Sequence, residues 1–81
     1  MRGKGGWRRR TLSDLRPGEQ GVVVCVYGRG PIRRRLLDMG LTPGTLVRVV
    51  RVAPMGDPMQ VTFKGYALAI RRAEGAQVEI R

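Results

Sequence analysis

The stretch that decides the fold is GPIRRRLLDMGLTPG, residues 30–44, because only here do apolar residues recur at helical spacing. Pro31 suits the first position of a helix, where its missing N–H would have had no intrahelical partner. Gly40 suits the position just beyond a helix, where the chain enters the left-handed region. The stretch therefore predicts one short helix over residues 32–39, with Gly30 as its N-cap.

The faces of this helix are expected to have different roles. At about 100° per residue, Ile32, Leu36 and Met39 share one stripe, which we expect to face the core. Leu36 can also contact Leu41 beyond the helix, as in a Schellman stop. Leu37 lies off the stripe, so it is either a second buried contact under a loop or an apolar residue kept for a partner.

The positive charge of the chain is divided between its N-terminal segment and the rest. The 81 residues include 16 Lys+Arg and 6 Asp+Glu, a formal net charge of +10. Half of that excess lies in residues 1–10, which have no acidic residue and are rich in glycine. We predict that residues 1–10 form a flexible basic tail and that residues 11–81 form one small domain. A basic pI therefore does not by itself indicate a basic binding face on the domain.

The rest of the domain alternates as strands. Apolar runs occupy residues 21–27, 46–52, 59–63, 66–70 and 78–80, separated by turn signals. The first run is apolar on both faces, with Val23 and Cys25 on one and Val24 and Val26 on the other, which is typical of a central strand. The second slips out of alternation at Val49-Val50, which predicts a β-bulge.

A flat sheet made of these few strands would leave its edges and one apolar face exposed to solvent. We therefore expect the sheet to curl. Short helical turns are predicted on either side of them, at residues 11–15 and 72–76. The predicted fold is therefore mainly β, a small SH3-like antiparallel β-barrel of about five strands with one short helix inserted after the first strand.

The chain lacks the residues that common catalytic and metal sites use. It has no histidine, so neither a Ser/His/Asp nor a Cys/His relay can be assembled. Its acidic residues are scattered, and no local pair has catalytic or metal-ligand spacing. Cys25 is interpreted as a buried structural thiol, Met39 and Met59 as core filler and Met55 as an exposed loop tip. We therefore predict no enzymatic activity, no cofactor and no metal site.

The sequence also gives an expectation about location. One cysteine cannot form an internal disulfide, so nothing indicates an oxidising compartment. No window approaches the roughly eighteen apolar residues that a membrane helix needs, and no apolar stretch follows the basic N-terminus. We expect a cytoplasmic protein without membrane insertion.

Four short motifs follow one another along the chain. They are LSDLRPG at residues 12–18, RRLLDMGLTPG at residues 34–44, APMGDP at residues 53–58 and AIRR at residues 69–72. In this order and separation they resemble the FeoA family of small ferrous-iron-transport proteins, over roughly residues 11–81. The resemblance implies a cytoplasmic SH3-like module that takes no small-molecule substrate. It also implies that the module assists FeoB, the membrane ferrous-iron transporter with a cytoplasmic G-protein domain, by binding it.

Two regions are candidates for the contact with such a partner. The core of a small barrel does not use its loops or an apolar residue that lies off the core-facing stripe of its helix. Such residues are therefore available to bind a partner. The candidate partner-binding residues lie on the helix and in the loop that follows the second predicted strand: Arg33, Arg34, Leu37, Met39, Met55 and Asp57.

The net charge and the Arg8-Arg9-Arg10 run leave an alternative of another class, a small nucleic-acid-binding barrel of the kind found on ribosomes. Against it, the four aromatic residues, Trp7, Tyr27, Phe63 and Tyr66, do not fall on one strand face, so no stacking platform is predicted. We expect nucleic acid only as a non-specific contact of the basic tail. That tail could instead address the anionic inner face of the membrane.

Overall fold

The fold is an antiparallel sheet of six strands with two short α-helices. A computed structural model describes residues 10–81 of the chain. The strands are hydrogen-bonded in the order β1-β6-β2-β3-β4-β5. The elements are β1 (Arg10–Thr11), a 3₁₀ helix (Leu12–Asp14), β2 (Gln20–Val26), α1 (Pro31–Asp38), β3 (Leu46–Val52), β4 (Met59–Phe63), β5 (Tyr66–Ile70), α2 (Arg72–Gly75) and β6 (Val78–Ile80). The prediction of a mainly β, antiparallel fold is confirmed.

The sheet contains one more strand than predicted, and it is not closed. Arg10 pairs with Ile80 and Thr11 with Glu79, so β1 adds a strand at one edge. Arg10 was predicted to lie in the tail, and the rest of that tail falls outside the described residues. Because β1 precedes β2, the helix follows the second strand rather than the first. The two edge strands, β1 and β5, do not pair with each other, so the architecture is barrel-like but open.

The predicted helix and its stop are confirmed. Helix α1 begins at Pro31 with Gly30 as N-cap. At its end Gly40 adopts a φ of +108°. The N–H of Gly40 donates to Leu37 O at 3.0 Å, and the N–H of Leu41 donates to Leu36 O at 3.1 Å. These two bonds form a Schellman motif, which satisfies carbonyl groups that the helix end would otherwise leave free.

The core-facing stripe of α1 is shorter than predicted. Leu36 is fully buried and Met39 packs against the core, but Ile32 is 42% exposed. The prediction for Ile32 is wrong because the N-terminal half of α1 stays at the surface, where residues 31–35 are all exposed. The helix reaches the core only in its last turn, where Leu41 folds back against Leu36.

Two β-bulges shape the sheet, and the sequence indicated one of them. The register of β3 against β4 shifts between Val49 and Arg51, which confirms the predicted irregularity. The register of β2 against β6 shifts between Val23 and Cys25. As a result Val23 and Val26 are both buried, and the simple alternation predicted for this strand is wrong.

The core is a single cluster of apolar side chains from the 3₁₀ helix, α1 and strands β2 to β6, with Leu15 and Leu41 from the segments that follow these two helices. Met59, Val61 and Phe63 of β4 are buried, as their alternation predicted. The turn at Lys64-Gly65 connects β4 to β5 as predicted, with positive φ at both residues. On β5 only Ile70 is fully buried, because this strand lies at the edge of the sheet.

Candidate partner-binding site

The exposed arginines of α1 differ in how firmly the fold holds them. Nε of Arg33 donates to Val26 O at 3.2 Å, which fixes its side chain against the end of β2. Arg34 is exposed, and its guanidinium group has no hydrogen bond or ion pair with the part of the chain that is described. Both arginines line a surface depression of about 520 Å³ at the start of the helix, together with Gly30 and Pro31. Arg34 is therefore the more available of the two cations.

The apolar candidates on α1, Leu37 and Met39, lie between core and surface. Both are partly buried and pack against the hydrophobic core. Leu37 therefore combines the two alternatives left open by the sequence, since one side contacts the core and the other reaches solvent. Ile32, on the first turn, is a more exposed apolar residue of the same helix. Its spacing matches that of Leu36, so the sequence predicted a core residue at this position rather than an exposed one.

The two loop candidates have different environments. Met55 is 91% exposed at the tip of the loop between β3 and β4, as predicted. Asp57, in the same loop, is also exposed, but its Oδ1 accepts the backbone N–H of Arg72 at 3.1 Å. This bond satisfies a free N–H in the first turn of α2, so Asp57 ties the loop to that helix. Of the two residues, only Met55 presents its whole side chain to a partner.

The helix and the loop meet at a cleft of about 350 Å³. Arg35 enters it from α1, Asp57 and Pro58 from the loop, and Arg71 and Glu74 from the segment after β5. Nη1 of Arg35 lies 3.1 Å from Oε2 of Glu74. The structure thus brings Asp57 towards the helix that carries the other candidates, while Met55 projects away at the loop tip.

Glu74, which pairs with Arg35 in this cleft, was not predicted from the sequence as a site residue. Its side chain is only 7% exposed, and Oε1 accepts the backbone N–H of Arg71 at 2.9 Å. Glu74 lies three residues after Arg71, the N-cap of α2, and a glutamate at this position commonly accepts the backbone N–H of the N-cap residue. This spacing could have indicated the hydrogen bond to Arg71. No local pattern predicts the ion pair with Arg35, because the two residues are far apart in the sequence.

Replacing Glu74 tests how strongly the cleft depends on this carboxylate. Glu74→Ala removes the hydrogen bond to Arg71 and the ion pair together, so we expect the free energy of unfolding to fall by about 1–2 kcal/mol. Glu74→Gln keeps an oxygen acceptor for the Arg71 N–H and should lose less than half as much, because Arg35 is largely exposed and its pairing is screened. Urea denaturation followed by circular dichroism measures both. Equal losses in the two variants would show that the charge, rather than the capping bond, stabilises the cleft.

Cys25, on β2, lies in a cluster of polar side chains with Tyr27 and Glu79, and none of these residues lines the cleft. Its thiol is half-buried rather than fully buried as predicted, and Sγ lies 3.7 Å from Oε1 of Glu79. The same carboxylate oxygen accepts the hydroxyl of Tyr27. Within residues 10–81, no group of three or more His, Cys, Asp or Glu side chains is placed to hold a metal ion.

The aromatic residues are spread over the fold. Phe63 is buried in the core, whereas Tyr27 and Tyr66 are exposed. Tyr27 follows β2 and Tyr66 begins β5, and β3 and β4 lie between those strands in the sheet. Trp7 lies outside the described residues. The arrangement gives the nucleic-acid alternative no stacking platform in the described domain.

None of the helices in the described part of the chain combines the length and the apolar character needed to cross a bilayer.

Comparison with known proteins identifies one family. A family model, the FeoA domain, matches residues 10–81. A protein of Porphyromonas gingivalis, a fusion of Fe(2+) transport protein A with the Fe(2+) transporter FeoB, is 41% identical over 69 residues. These residues are 85% of this chain but only 8% of that protein, so the chain spans a small part of its length.

Solved structures of FeoA proteins share the fold. FeoA of Chlorobium tepidum is 38% identical with a TM-score of 0.82, covering 89% of this chain and 69% of that one. FeoA of Stenotrophomonas maltophilia, described as a prokaryotic SH3 domain protein and complexed with zinc, is 32% identical with a TM-score of 0.79 over 89% of each chain. The predicted SH3-like fold is therefore confirmed.

Proposed function

This chain belongs to the FeoA family, associated with ferrous iron transport, and we propose that it is a non-enzymatic accessory module that binds the cytoplasmic part of a FeoB-type transporter. The observation that carries the proposal is the fusion protein of Porphyromonas gingivalis, in which a segment like this chain is covalently joined to FeoB. A tether raises the effective concentration of two modules that already bind each other. The separate chain would make the same contact without the tether.

The residues of the domain favour a role through contact rather than chemistry. The chain has no histidine. The carboxylates of Asp57 and Glu74 are engaged by Arg72 and Arg35 within the fold. A general base or a metal site would need such groups to be free and convergent. The surface, in contrast, presents exposed cations and apolar residues that a partner can cover.

We assign the contact to the edge of α1 and to the loop tip: Arg33, Arg34, Leu37, Met39, Met55 and Asp57. Arg34 and Met55 offer a free charge and a flexible apolar side chain. Leu37 and Met39 would complete their burial against the partner. Asp57 would act through the loop that it holds in place. This assignment puts the module on the cytoplasmic side of the membrane, with the basic tail near its anionic inner face.

The proposal is tested by Leu37→Gln. A polar side chain at this position removes the exposed apolar part of the contact, so binding to the isolated cytoplasmic domain of a FeoB-type transporter should weaken by about tenfold. Calorimetric titration measures the affinity. The matched control is Val50→Gln, the same kind of change at an exposed apolar residue of the β3 bulge, which should leave binding unchanged.

Thermal unfolding of both variants separates folding from binding. Leu37 is only partly buried, so its variant should remain folded, with a loss of about 1 kcal/mol. Full affinity in a folded Leu37→Gln protein would contradict the assigned surface. Absence of binding by the unsubstituted protein would contradict the proposed function itself.

A further inference from the structure

Strand β5 lies at the edge of the sheet, and half of its backbone groups face away from β4. The two-residue turn at Lys64-Gly65 makes Phe63 and Tyr66 the hydrogen-bonded pair that closes the hairpin. Hydrogen-bonded and non-hydrogen-bonded pairs alternate along an antiparallel ladder. The N–H and C=O groups of Ala67 and Ala69 therefore point to the open side. No backbone or side-chain group among residues 10–81 bonds to them there.

This edge has none of the features that usually prevent an exposed strand from pairing. Natural edge strands carry lysine, proline, bulges or covering loops. Strand β5, with the sequence YALAI, has no charged residue and no proline, and its register against β4 is regular. The side chains of Ala67 and Ala69 are exposed and small. A further strand could therefore approach this edge without displacing any part of the fold.

A shallow groove of about 210 Å³ adjoins the edge on the outer face of the sheet. Ala67 and Ala69 line it, together with residues that include Pro58 and Arg51. Arg51 is opposite Gln60, which is in turn opposite Ala69, so the arginine shares a cross-strand row with the exposed alanine. The groove is mostly apolar and suits small or β-branched side chains of an added strand.

The free charge around this edge is positive. The guanidinium groups of Arg51 and Arg71 have no ion pair or hydrogen bond with any other described residue. Arg71 lines the adjoining cleft, where Glu74 is paired with the guanidinium of Arg35 and Asp57 accepts the backbone N–H of Arg72. The arginines that line the groove and the cleft outnumber the carboxylates there by three to two. A second copy of this chain, with its formal charge of +10, would bring like charges together here. The edge is therefore complementary to an acidic segment.

From these observations we propose that the free edge of β5 binds an extended acidic segment of a partner protein as an additional β-strand. Ala67 and Ala69 supply the backbone hydrogen bonds, and Arg51 and Arg71 contact its carboxylates. Alternating donors and acceptors match a polypeptide backbone, whereas the phosphate groups of a nucleic acid offer only acceptors. The inference goes beyond the proposed function, since it concerns a second surface and does not depend on which protein supplies the segment.

Synthetic peptides of about seven residues test the proposal on the full chain. The first alternates valine and threonine and has an aspartate at each end. The second has lysine at both ends, and the third is the acidic peptide with every backbone nitrogen methylated, so that neither edge of the peptide can donate to β5. In an NMR titration, the acidic peptide should shift the amide signals of Ala67 and Ala69 and slow their hydrogen exchange. It should bind about tenfold or more tightly than the lysine peptide, and the methylated peptide should not bind.

Variants of β5 and its surroundings provide the matched controls. Ala67→Pro removes an outward N–H that the β4–β5 ladder does not use, so it should abolish binding in a folded protein, whereas Ala67→Ser should bind normally. Arg51→Glu combined with Arg71→Glu should weaken the acidic peptide by about tenfold. Arg29 is an exposed arginine in the turn before α1, so Arg29→Glu should leave the affinity for the acidic peptide unchanged. If Ala67→Pro does not fold, the methylated peptide supplies the same test of the backbone bonds.

Several results would overturn the proposal. Equal binding of the acidic and methylated peptides would exclude strand addition. Signals that shift only on α1 would place the peptide elsewhere. Concentration-dependent dimerisation in sedimentation, with the Ala67 and Ala69 amides protected, would assign the edge to a second copy of the chain. If a single-stranded oligonucleotide displaced the acidic peptide, as followed by the Ala67 and Ala69 amide signals, the edge would be assigned to nucleic acid binding.

Discussion

Leu36→Ala is expected to lower the free energy of unfolding by about 3 kcal/mol, a large part of what a domain of this size has. Leu36 is the one fully buried residue of α1. Its carbonyl also accepts the N–H of Leu41 in the Schellman motif, and both side chains are fully buried there. Truncation leaves a cavity in the last turn of the helix, where α1 contacts the core most deeply. Urea denaturation followed by circular dichroism measures the loss.

The neighbouring residue provides the control. Leu37→Ala removes the same atoms from a side chain that is only partly buried, so the expected loss is about 1 kcal/mol. The contrast matters for function, because Leu37 is a proposed contact residue and Leu36 is not. Equal losses in the two variants would show that Leu37 belongs to the core, and its loss of partner binding could then not be attributed to contact.

The parts of α1 that the sequence predicted correctly are those set by residues within the helix and at its ends. Pro31 and Gly40 each act through their own backbone conformation, so both helix ends could be placed from the sequence. The burial of Leu36 followed from its spacing together with the Schellman contact. The same spacing placed Ile32 in the core, where it is not. Periodicity shows which residues share a face, but it does not show how far along the helix that face touches the sheet.

The features that the sequence did not predict depend on residues far apart in the chain. The bulge after Val23 is defined by pairing with β6, and β1 exists because Arg10 pairs with Ile80. Neither partner is visible from local alternation. The predicted bulge in β3 was accessible because two valines in succession interrupt the pattern of that strand itself.

The candidate site divides in the same way. Met55 was predicted to be exposed because a Pro- and Gly-rich loop surrounds it, and the structure agrees. The role of Asp57 was not predicted, because its bond to Arg72 requires the loop to reach α2. The open edge at Ala67 and Ala69 depends on the strand order, which places β5 beside β4 alone. Exposure that follows from local sequence was predicted, and contacts with residues distant in the sequence were not.

The second large effect is expected at Gly40, where Gly40→Val should lower the free energy of unfolding by about 3 kcal/mol. The φ of +108° is one that residues with a side chain rarely adopt, and a β-branched residue adopts it least. A Cβ here would also lie 3.4 Å from Cε2 of Phe63 and 3.9 Å from Cδ of Lys64. The variant would therefore strain the helix stop. Because the Cβ itself would already be in van der Waals contact with Phe63, the methyl groups of valine beyond it would add crowding against the β4–β5 hairpin.

Gly44→Val separates these two causes. Gly44 has a similar φ of +93°, but no atom lies within 4 Å of the position that its Cβ would take. It should therefore show the backbone strain without the crowding, and its loss in urea denaturation should be smaller. The difference between the two variants measures how tightly the end of α1 is packed on the hairpin that carries the free β5 edge. Equal losses would mean that Phe63 yields, and that the helix and the edge strand are not coupled through this contact.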